Sequence, residues 1–450
     1  MRPIIVFVSL LLYPAAAGLA QARADDLLAE AAARTPVALN VFEQFALQTN
    51  PTLQQARALV RQSGGLAQQA GLLPNPIVGY QGEEIRGGSF DGGEQGGFVQ
   101  QDFILGGKLG LRRNVYRQQQ RADEIGVEEQ RYRVLSNVGQ QFYTALAAQE
   151  TVNVRRRLLS LAADALETAH QLANVGQADA PDVLQSEVEQ EQAQLEYIAA
   201  ERAFIREFRT LAALAGKPDL PLAPLAGNLG NTPQIDADHL ADQIAVDSPS
   251  IKRAQQDVVR AEATLKSAKR ESIPDLSIHA GLQNNFEPLN GATSTPVGVQ
   301  GFVTAGVPLP IFNRNQGNVA AAQADLERAQ AEVNRVQLLL RQAAQPVLQD
   351  YLTARTVAAR YKDEIIPHAA RAYELYMAKY RQMAAAYPAV IVSQRTLFDL
   401  QIAYIGVLRS LWIDSVALQN FTLSNGLAAP QPRSDASTVT NPYNVGVGAQ

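Results

Sequence analysis

The chain has 450 residues, of which 46% are hydrophobic and 18% are charged, and its formal net charge is −5. This balance gives no sign of the clustered basic surface that nucleic-acid binding requires, and a mean hydropathy of −0.12 excludes a bundle of inner-membrane helices. Because these residues include no cysteine, they offer no disulfide framework, no thiol redox chemistry and no cysteine that could carry a lipid.

Residues 1–22 are predicted to be a secretory signal peptide. Arg2 gives the segment a positive start, Ile4–Leu12 form a short apolar run, and Ala20-Gln21-Ala22 is a small-x-small cleavage site. The alternative is an uncleaved membrane anchor, but the apolar run is shorter than the roughly 20 residues that cross a bilayer. The mature chain is therefore expected to act outside the cytoplasm.

The rest of the sequence consists of two similar halves. In each half a Pro-bounded helical stretch precedes two strand-like runs, a turn, a very long helix, a break and a return helix. The distance from Pro51 to Pro76 equals that from Pro249 to Pro274. Each long helix has about 70 residues, which is on the order of 100 Å at the usual helical rise. We assign the first repeat to 37–216, a Pro- and Gly-rich linker to 217–236, the second repeat to 237–426, and a disordered tail to 427–450.

The strand-like runs predict a membrane β-sheet. Apolar and polar residues alternate over 276–283, so one face of this strand is apolar and the other polar. The polar face makes Ser277, His279 and Gln283 candidates for a pore lining. A single histidine makes no metal site, so a solvated or hydrogen-bonded surface histidine is the favoured interpretation of His279. The other runs are approximately 77–83, 97–103 and 299–307.

A half-buried sheet of a soluble protein is the alternative interpretation of any single strand. Four strands cannot close a barrel, however, and each unpaired backbone group at an open edge in lipid costs several kcal/mol. Three copies would supply twelve strands, which is within the usual range of such barrels. Membrane strands would therefore require a trimer.

The long helices are predicted to lie outside the membrane, since the hydrocarbon core is only roughly 30 Å thick. Apolar residues separated by steps of three and four predict coiled-coil seams. The seam of the first long helix is Leu158, Ala162, Ala165, Ala169 and Leu172, and that of its return helix is Leu184, Val188, Leu195, Ile198 and Ile205. An ordinary helical bundle is the alternative that the spacing leaves open.

Three motifs are similar to those of one known family. They are the break 174–184 (NVGQADAPDVL), the turn 307–317 (VPLPIFNRNQG) and the turn Gly106-Gly107-Lys108 with Arg112 after it. Together with the duplication, they resemble the outer-membrane efflux protein (TolC-type) family over roughly 37–426, and in particular its heavy-metal, CzcC- or CusC-like, branch. The turn at 106–108 lacks the upstream Gly and the following Ser or Thr of a phosphate-binding loop.

The resemblance implies a mainly α fold with a small β part. A homotrimer would form a twelve-stranded outer-membrane β-barrel, with four strands per chain, continuous with a twelve-helix periplasmic coiled-coil tunnel. The expected partners are a periplasmic adaptor (a membrane fusion protein) and an inner-membrane pump of the RND type. The chain would be the passive exit duct of this tripartite efflux pump, located in the outer membrane with a large periplasmic extension.

The resemblance to the heavy-metal branch favours metal cations as cargo. An exit duct for drugs or for type I protein secretion is an alternative within the same class. A soluble periplasmic coiled-coil adaptor or scaffold is an alternative from another class. The sequence contains no nucleophile motif, no phosphate-binding loop and no clustered metal ligands, so neither an enzyme nor a cofactor nor a stored metal is predicted.

The first helical break is a candidate periplasmic gate. Asp182 matches a tip acid of the family, and three symmetry-related copies around a narrow aperture would favour cations. Asp179 belongs to the same candidate gate. The alternative for both acids is helix capping, because Pro181 and acidic residues in the first turn favour the start of a helix. The two roles are compatible.

The second break departs from the family pattern. Tyr380 matches a tyrosine that helps to hold the resting state closed, and Arg381 and Gln382 could link neighbouring hairpins. Some members carry a pair of gating acids where this chain has Ala389 and Val392, so an apolar constriction that gates by dewetting is the substitute hypothesis. The residues expected to dock the adaptor are Asn174, Val175, Gly176, Met383 and Ala384.

Overall fold

The structure is a computed structural model, and it describes residues 30–31, 33–85, 92–175, 179–237, 239–288, 296–382, 384 and 387–430. The predicted signal peptide and residues 431–450 of the predicted tail lie outside the described residues. The α-helices are α1 Leu39–Thr49, α2 Pro51–Gln69, α3 Lys108–Asn174, α4 Ala180–Leu214, α5 Leu240–Asp247, α6 Pro249–Arg270, α7 Gln316–Arg360, α8 Ile366–Arg381 and α9 Tyr387–Gln419. The strands are β1 Val37–Ala38, β2 Ile77–Glu83, β3 Glu94–Phe103, β4 Leu225–Ala226, β5 Leu276–Pro288 and β6 Pro296–Gly306.

The helices follow the predicted order of long helix, break and return helix. In the first half, α3 has 67 residues and runs without interruption. In the second half the corresponding stretch comprises α7, a π-helical turn over Tyr361–Ile365, and α8. The return helices are α4 and α9. The prediction of a mainly α fold with a small β part is confirmed.

All four predicted strands are present in one antiparallel sheet, in the order β2-β3-β5-β6. β2 has the predicted bounds, whereas β3 and β5 are longer than predicted, starting at Glu94 and ending at Pro288 respectively. β3 and β5 pair over ten residues, from Phe103 opposite Leu276 to Glu94 opposite Asn285. The two halves of the sequence therefore contribute adjacent strands to a single sheet.

The described residues form two compact units, and each unit contains residues of both halves. The first comprises residues up to Gln54 with Glu129–Ser248 and Leu338–Pro430, and the second comprises Gln55–Glu128 and Pro249–Gln337. The four-stranded sheet belongs to the second unit and the helical breaks to the first. The predicted bounds of the two repeats (37–216 and 237–426) and of the linker (217–236) stay predictions.

The core of the first unit is built around three phenylalanines. Phe42 of α1 packs against Phe142 of α3 and Phe208 of α4, with ring centroids 6.0 Å and 6.1 Å away. All three are at most 2% exposed. Such rings bury more apolar area than other side chains and prefer tilted or edge-on contacts, so they fix α1 between the two long helices.

The Pro- and Gly-rich stretch between the halves is packed against helices of the first unit. It contains β4, which pairs in parallel with β1. Tyr351 donates a hydrogen bond from Oη to the carbonyl oxygen of Pro233 at 2.7 Å, and Trp412 donates from Nε1 to that of Leu229 at 2.9 Å. This stretch is therefore held at several points along its length.

The two predicted seams of the first hairpin differ in outcome. In α3, Leu158, Ala162 and Ala169 are buried as predicted. In α4, Leu184, Val188 and Leu195 of the predicted row are exposed in the single chain, whereas Ile198 and Ile205 are half-buried. The buried residues of this helix are Ser186, Ala193, Ala200, Glu201, Phe204, Phe208, Leu211 and Ala212. Within one chain α4 therefore packs through Ser and Ala at seven-residue intervals, which let helices approach closely, and the predicted seam of α4 stays a prediction.

One described helix is long and apolar enough to cross a membrane by length and composition alone. The candidate segment is Pro388–Gln419, with a mean hydropathy of 1.2 in its most apolar window. Val390, Leu397 and Leu411 of this helix are buried inside the first unit. Core helices of folded proteins meet the same criterion, and here these apolar residues pack against the protein itself.

Candidate functional site

One face of the four-stranded sheet is apolar and exposed in the single chain. Val78, Val99, Ala280 and Val303 lie opposite one another in successive strands and form a row across the whole sheet. Val78 and Val303 are each 76% exposed. Further exposed apolar residues on this face are Tyr80, Leu282 and Val299. An extended apolar surface of this kind is unfavourable in water and marks a contact with lipid or protein.

The opposite face of the sheet is polar and carries all three predicted pore-lining residues. Ser277 donates a hydrogen bond to the carboxylate of Asp102. Gln283 donates one to Glu94. His279 lies opposite Gln100 in β3 and Thr304 in β6.

His279 has surroundings that the sequence did not predict. Its ring lies between Phe98, with centroids 4.5 Å apart, and Phe302, with centroids 5.2 Å apart, both in edge-on geometry. Its Nε2 atom is buried and has no hydrogen-bond partner among the described residues. The expectation of a solvated or hydrogen-bonded surface histidine was wrong, because the two cross-strand phenylalanines enclose the ring.

Two glycines make room for these phenylalanines. A Cβ atom at Gly79 would lie 2.5 Å from Cζ of Phe98, and one at Gly281 would lie 2.6 Å from Cζ of Phe302. Each phenylalanine ring therefore lies over a glycine of the neighbouring strand, as in aromatic rescue of glycine in sheets. In the sequence, only the glycine-rich composition of the first-half strands hinted at these contacts. Without the strand register, that composition does not identify which phenylalanine lies over which glycine.

The outer edges of the sheet are β2 and β6. Within the part of the chain that the structure describes, each of them pairs with one strand only. Their free edges offer backbone N–H and C=O groups to a further strand.

The turn after β3 explains the motif Gly106-Gly107-Lys108. Both glycines have φ of +71°, a left-handed conformation that favours glycine. Lys108 is 3% exposed and donates from Nζ to the carbonyl oxygen of Ile273 at 2.8 Å. Arg112 binds Glu271 in a two-pronged ion pair, at 2.9 Å and 2.8 Å. The prediction of a turn rather than a phosphate-binding loop is confirmed.

The acids of the first break lie at the start of α4. Asp179 is the residue before the first helical turn, with extended backbone (φ −89°, ψ 157°), and its side chain makes no capping hydrogen bond. The half-buried Asp182 lies in the first turn, where its backbone N–H bonds to the carbonyl oxygen of Asp179 at 3.0 Å. A carboxylate in this turn is stabilised by the helix dipole. Asn174 is the last residue of α3 and Val175 follows it; both are exposed, whereas Gly176 lies outside the described residues.

The second break follows the end of α8. Tyr380 is half-buried, and the exposed Gln382 donates its backbone N–H to the carbonyl oxygens of Ala378 and Lys379. Ala384 is also exposed, and its N–H bonds to Lys379 at 2.9 Å. The side chain of Arg381 and the whole of Met383 lie outside what the structure describes.

Ala389 and Val392 line a shallow groove between α8 and α9. The other lining residues are Ala369, Ala372, Tyr376, Pro388, Ser393 and Thr396. No Asp or Glu is among these lining residues. The two positions that lack acids thus lie on a mostly apolar surface.

The sequence analysis did not predict a polar contact between α4 and α9, the return helices of the two hairpins. Arg395 of α9 binds both carboxylate oxygens of Glu189 in α4 at 2.9 Å, and its Nη2 also donates to Oε1 of Gln192. Spacing along a single helix gives no indication of such a pair, because its members are 206 residues apart.

Among the described residues, no group of three or more His, Asp or Glu residues is arranged to hold a metal ion. Burial, together with the charge of Asp350, raises the pKa of the Asp414 carboxyl to about 6. These two acids belong to α9 and α7 of the first unit.

Comparison with known proteins gives a consistent result. A family model described as outer membrane efflux protein matches residues 44–217 and 240–422. The cobalt-zinc-cadmium resistance protein CzcC of Cupriavidus metallidurans is 26% identical over 83% of this chain and 87% of its own length. The nickel-cobalt-cadmium resistance protein NccC of Alcaligenes xylosoxydans is 25% identical over 66% of this chain and 67% of its own.

Solved structures show the same fold. The crystal structure of CusC aligns with a TM-score of 0.69 at 15% identity, over 86% of this chain and 92% of that one. The outer membrane protein VceC of Vibrio cholerae aligns with a TM-score of 0.65 at 18% identity, over 86% and 96%.

Proposed function

This chain belongs to the outer membrane efflux protein family, and on that premise we propose that it is the exit duct for heavy-metal cations. Family and fold are those of channel proteins rather than of enzymes. In the proposed assembly, three copies join their sheets into a twelve-stranded barrel in the outer membrane. The long helices of the three copies continue the duct into the periplasm as a twelve-helix tunnel.

The observation that carries the proposal is the exposed apolar row across the sheet, Val78 to Val303, together with the free edges of β2 and β6. Contact with lipid is favourable for the apolar face, but lipid cannot form hydrogen bonds with the unpaired backbone N–H and C=O groups of an open sheet edge. Pairing β6 of one copy with β2 of the next satisfies both edges at once. Closure after three copies places the polar face, with Ser277, His279 and Gln283, around the lumen.

The cargo is proposed from the relatives and from the charge of the lumen. CzcC and NccC are named as cobalt, zinc, cadmium and nickel resistance proteins. Glu94 and Asp102 lie on the polar face of each copy, so a trimer would carry several carboxylates around its lumen. Carboxylate rings favour cations over anions, and a duct can pass metal ions without binding them tightly.

The partners are those of the family, whose members act as outer membrane components of tripartite efflux pumps. We assign adaptor docking to Asn174, Val175, Gly176, Met383 and Ala384. The gate would comprise Asp179, Asp182, Tyr380, Arg381 and Gln382, with the apolar groove at Ala389 and Val392 in place of a second acidic pair. Energy for export then comes from an inner-membrane pump of the RND type.

Two measurements test the proposal. A strain that lacks the gene should become sensitive to cobalt, zinc, cadmium or nickel salts, and the intact gene should restore resistance. Sensitivity to antibiotics or dyes alone would overturn the metal assignment and favour a drug duct. Purified protein should be trimeric in detergent micelles, whereas a water-soluble single subunit would rule out the pore and favour a periplasmic scaffold.

A further inference from the structure

The two ring nitrogens of His279 lie in different surroundings on the polar face of the sheet. Nε2 is buried beside Phe98 and Phe302 and has no hydrogen-bond partner among the described residues. Nδ1 is accessible to solvent and makes no hydrogen bond within the part of the chain that the structure describes. One nitrogen is therefore enclosed by aromatic rings, whereas the other can be reached from the polar face.

The enclosure of Nε2 determines which nitrogen carries the proton when the ring is neutral. A neutral imidazole has one N–H donor and one acceptor lone pair. An N–H group beside an aromatic ring gains a weak attraction, because the face of the ring is negative. A lone pair buried there without a donor gains no such attraction and loses its hydration. The surroundings thus assign the proton to Nε2 and leave the lone pair on the accessible Nδ1.

Oxygen atoms that could bind a cation lie next to His279 on the same face. Gln100 of β3 lies directly opposite His279, and Asp102 lies two residues further along β3. Diagonal neighbours of this kind are within reach of each other's side chains. Ser277 accepts a hydrogen bond from Nε2 of Gln100 at 3.4 Å and donates one to Oδ1 of Asp102. These bonds orient both side chains and leave Oε1 of Gln100 and Oδ2 of Asp102 available to a ligand.

We propose that Nδ1 of His279, with the oxygens of Gln100 and Asp102, forms a weak transit site for divalent metal cations in the barrel lumen. This inference rests on the proposed function, which closes three copies into a pore with the polar face inside. An imidazole nitrogen beside carboxylate and amide oxygens suits cations such as Co²⁺, Ni²⁺ and Zn²⁺, whereas Mg²⁺ and Ca²⁺ prefer oxygen ligands alone. Because the chain supplies few ligands, water completes the coordination and the ion can leave again, as conduction requires.

Protection of His279 from diethylpyrocarbonate, which modifies accessible unprotonated imidazole nitrogens, tests the transit site. The wild-type trimer in detergent micelles is treated with the reagent at rising concentrations of Co²⁺ or Mg²⁺. Mass spectrometry of its peptides then measures the modified fraction of each histidine. His170, exposed on α3, is the internal control for a histidine outside the sheet. The Co²⁺ concentration that gives half protection should be several-fold lower at His279 than at His170, and Mg²⁺ should protect neither.

Two carboxylate variants separate a binding site from a general attraction of cations to the lumen. Asp102→Asn should raise the half-protecting concentration of Co²⁺ at His279 several-fold. Glu83→Gln removes a charge from the same face at the other end of the sheet, where Glu83 lies opposite Glu94, and should leave that concentration unchanged. Equal effects of the two variants would mean attraction by charge alone and would overturn the inference.

Two results with the wild-type protein would also overturn the transit site. One is equal protection of His279 and His170 by Co²⁺. The other is a His279 that stays unmodified while His170 reacts, because Nδ1 would then be inaccessible. Both results leave the proposed function intact, since the metal sensitivity of a deletion strain and the trimeric state in micelles test it separately. A protein that is not trimeric in micelles would overturn the proposed function and the transit site together.

Discussion

Nζ of Lys108 lies 2.6 Å from Oδ1 of Asp275, and this ion pair fastens the turn after β3 to the start of β5. The two side chains are 3% and 15% exposed. Asp275 also accepts the backbone N–H of Leu105 at 3.0 Å. A single carboxylate thus fixes both ends of the turn that joins the sheet to the longest helix of the chain.

Lys108→Met should lower the free energy of unfolding by about 3 kcal/mol, because it removes the ammonium that lies against the largely buried carboxylate of Asp275. The thermal midpoint of the purified protein, followed by circular dichroism in detergent, measures the change. Lys252→Met, at an exposed position of α6, is the control and should have little effect. An equal midpoint for the two variants would show that the ion pair contributes no stability.

Val303→Lys and Thr304→Lys differ by one position and therefore probe opposite faces of β6. Val303→Lys should cost about 2–4 kcal/mol, as lysine does on the lipid face of a barrel, and should reduce the amount of protein assembled in the outer membrane. Thr304→Lys should assemble normally, because its ammonium faces the polar side. The yield of assembled protein in isolated outer membranes measures both, and equal yields would contradict the assignment of faces.

Asp182→Asn should lower the preference for cations in planar-bilayer conductance, because it removes one negative charge per copy from the proposed gate. The amide keeps the size of the side chain in the first turn of α4. The exposed Asp164 of α3 provides the matched control, Asp164→Asn, which should leave selectivity unchanged. Unaltered ion selectivity in Asp182→Asn would restrict this residue to stabilising the start of its helix.

The pKa of Asp414, raised from 3.8 to about 6, predicts a specific pH dependence. Because the folded state holds this proton more tightly than the unfolded state, its stabilising contribution is present below pH 4. The contribution is lost as the pH rises through 6. Asp414→Asn should therefore stabilise the protein at pH 7.5 relative to wild type, by about 1 kcal/mol after allowance for solvent screening of a half-buried group. Thermal midpoints at pH 7.5 and pH 4 test this, and a variant difference that is the same at both pH values would exclude it.

The sequence by itself determined which stretches are strands and which are long helices. The alternation over 276–283 identified β5 and its two faces, because side chains on a strand point alternately to opposite sides whatever the strand pairs with. The family resemblance was also present in the sequence, in the breaks and turns that its members share, and the family model confirmed it. These features are local or repetitive, and so they can be read along one chain.

The tertiary structure alone decided which residues meet. The enclosure of His279 by Phe98 and Phe302 depends on the register of β3, β5 and β6, and the pairing of Lys108 with Asp275 joins residues from different halves of the sequence. In α4 the spacing predicted one row of leucine, valine and isoleucine, whereas the residues buried within one chain include Ser186, Ala193 and Ala200. Periodicity along the chain predicts which residues share one face of a helix or strand. The residues that pack against that face come from distant parts of the sequence, so neither spacing nor composition identifies them.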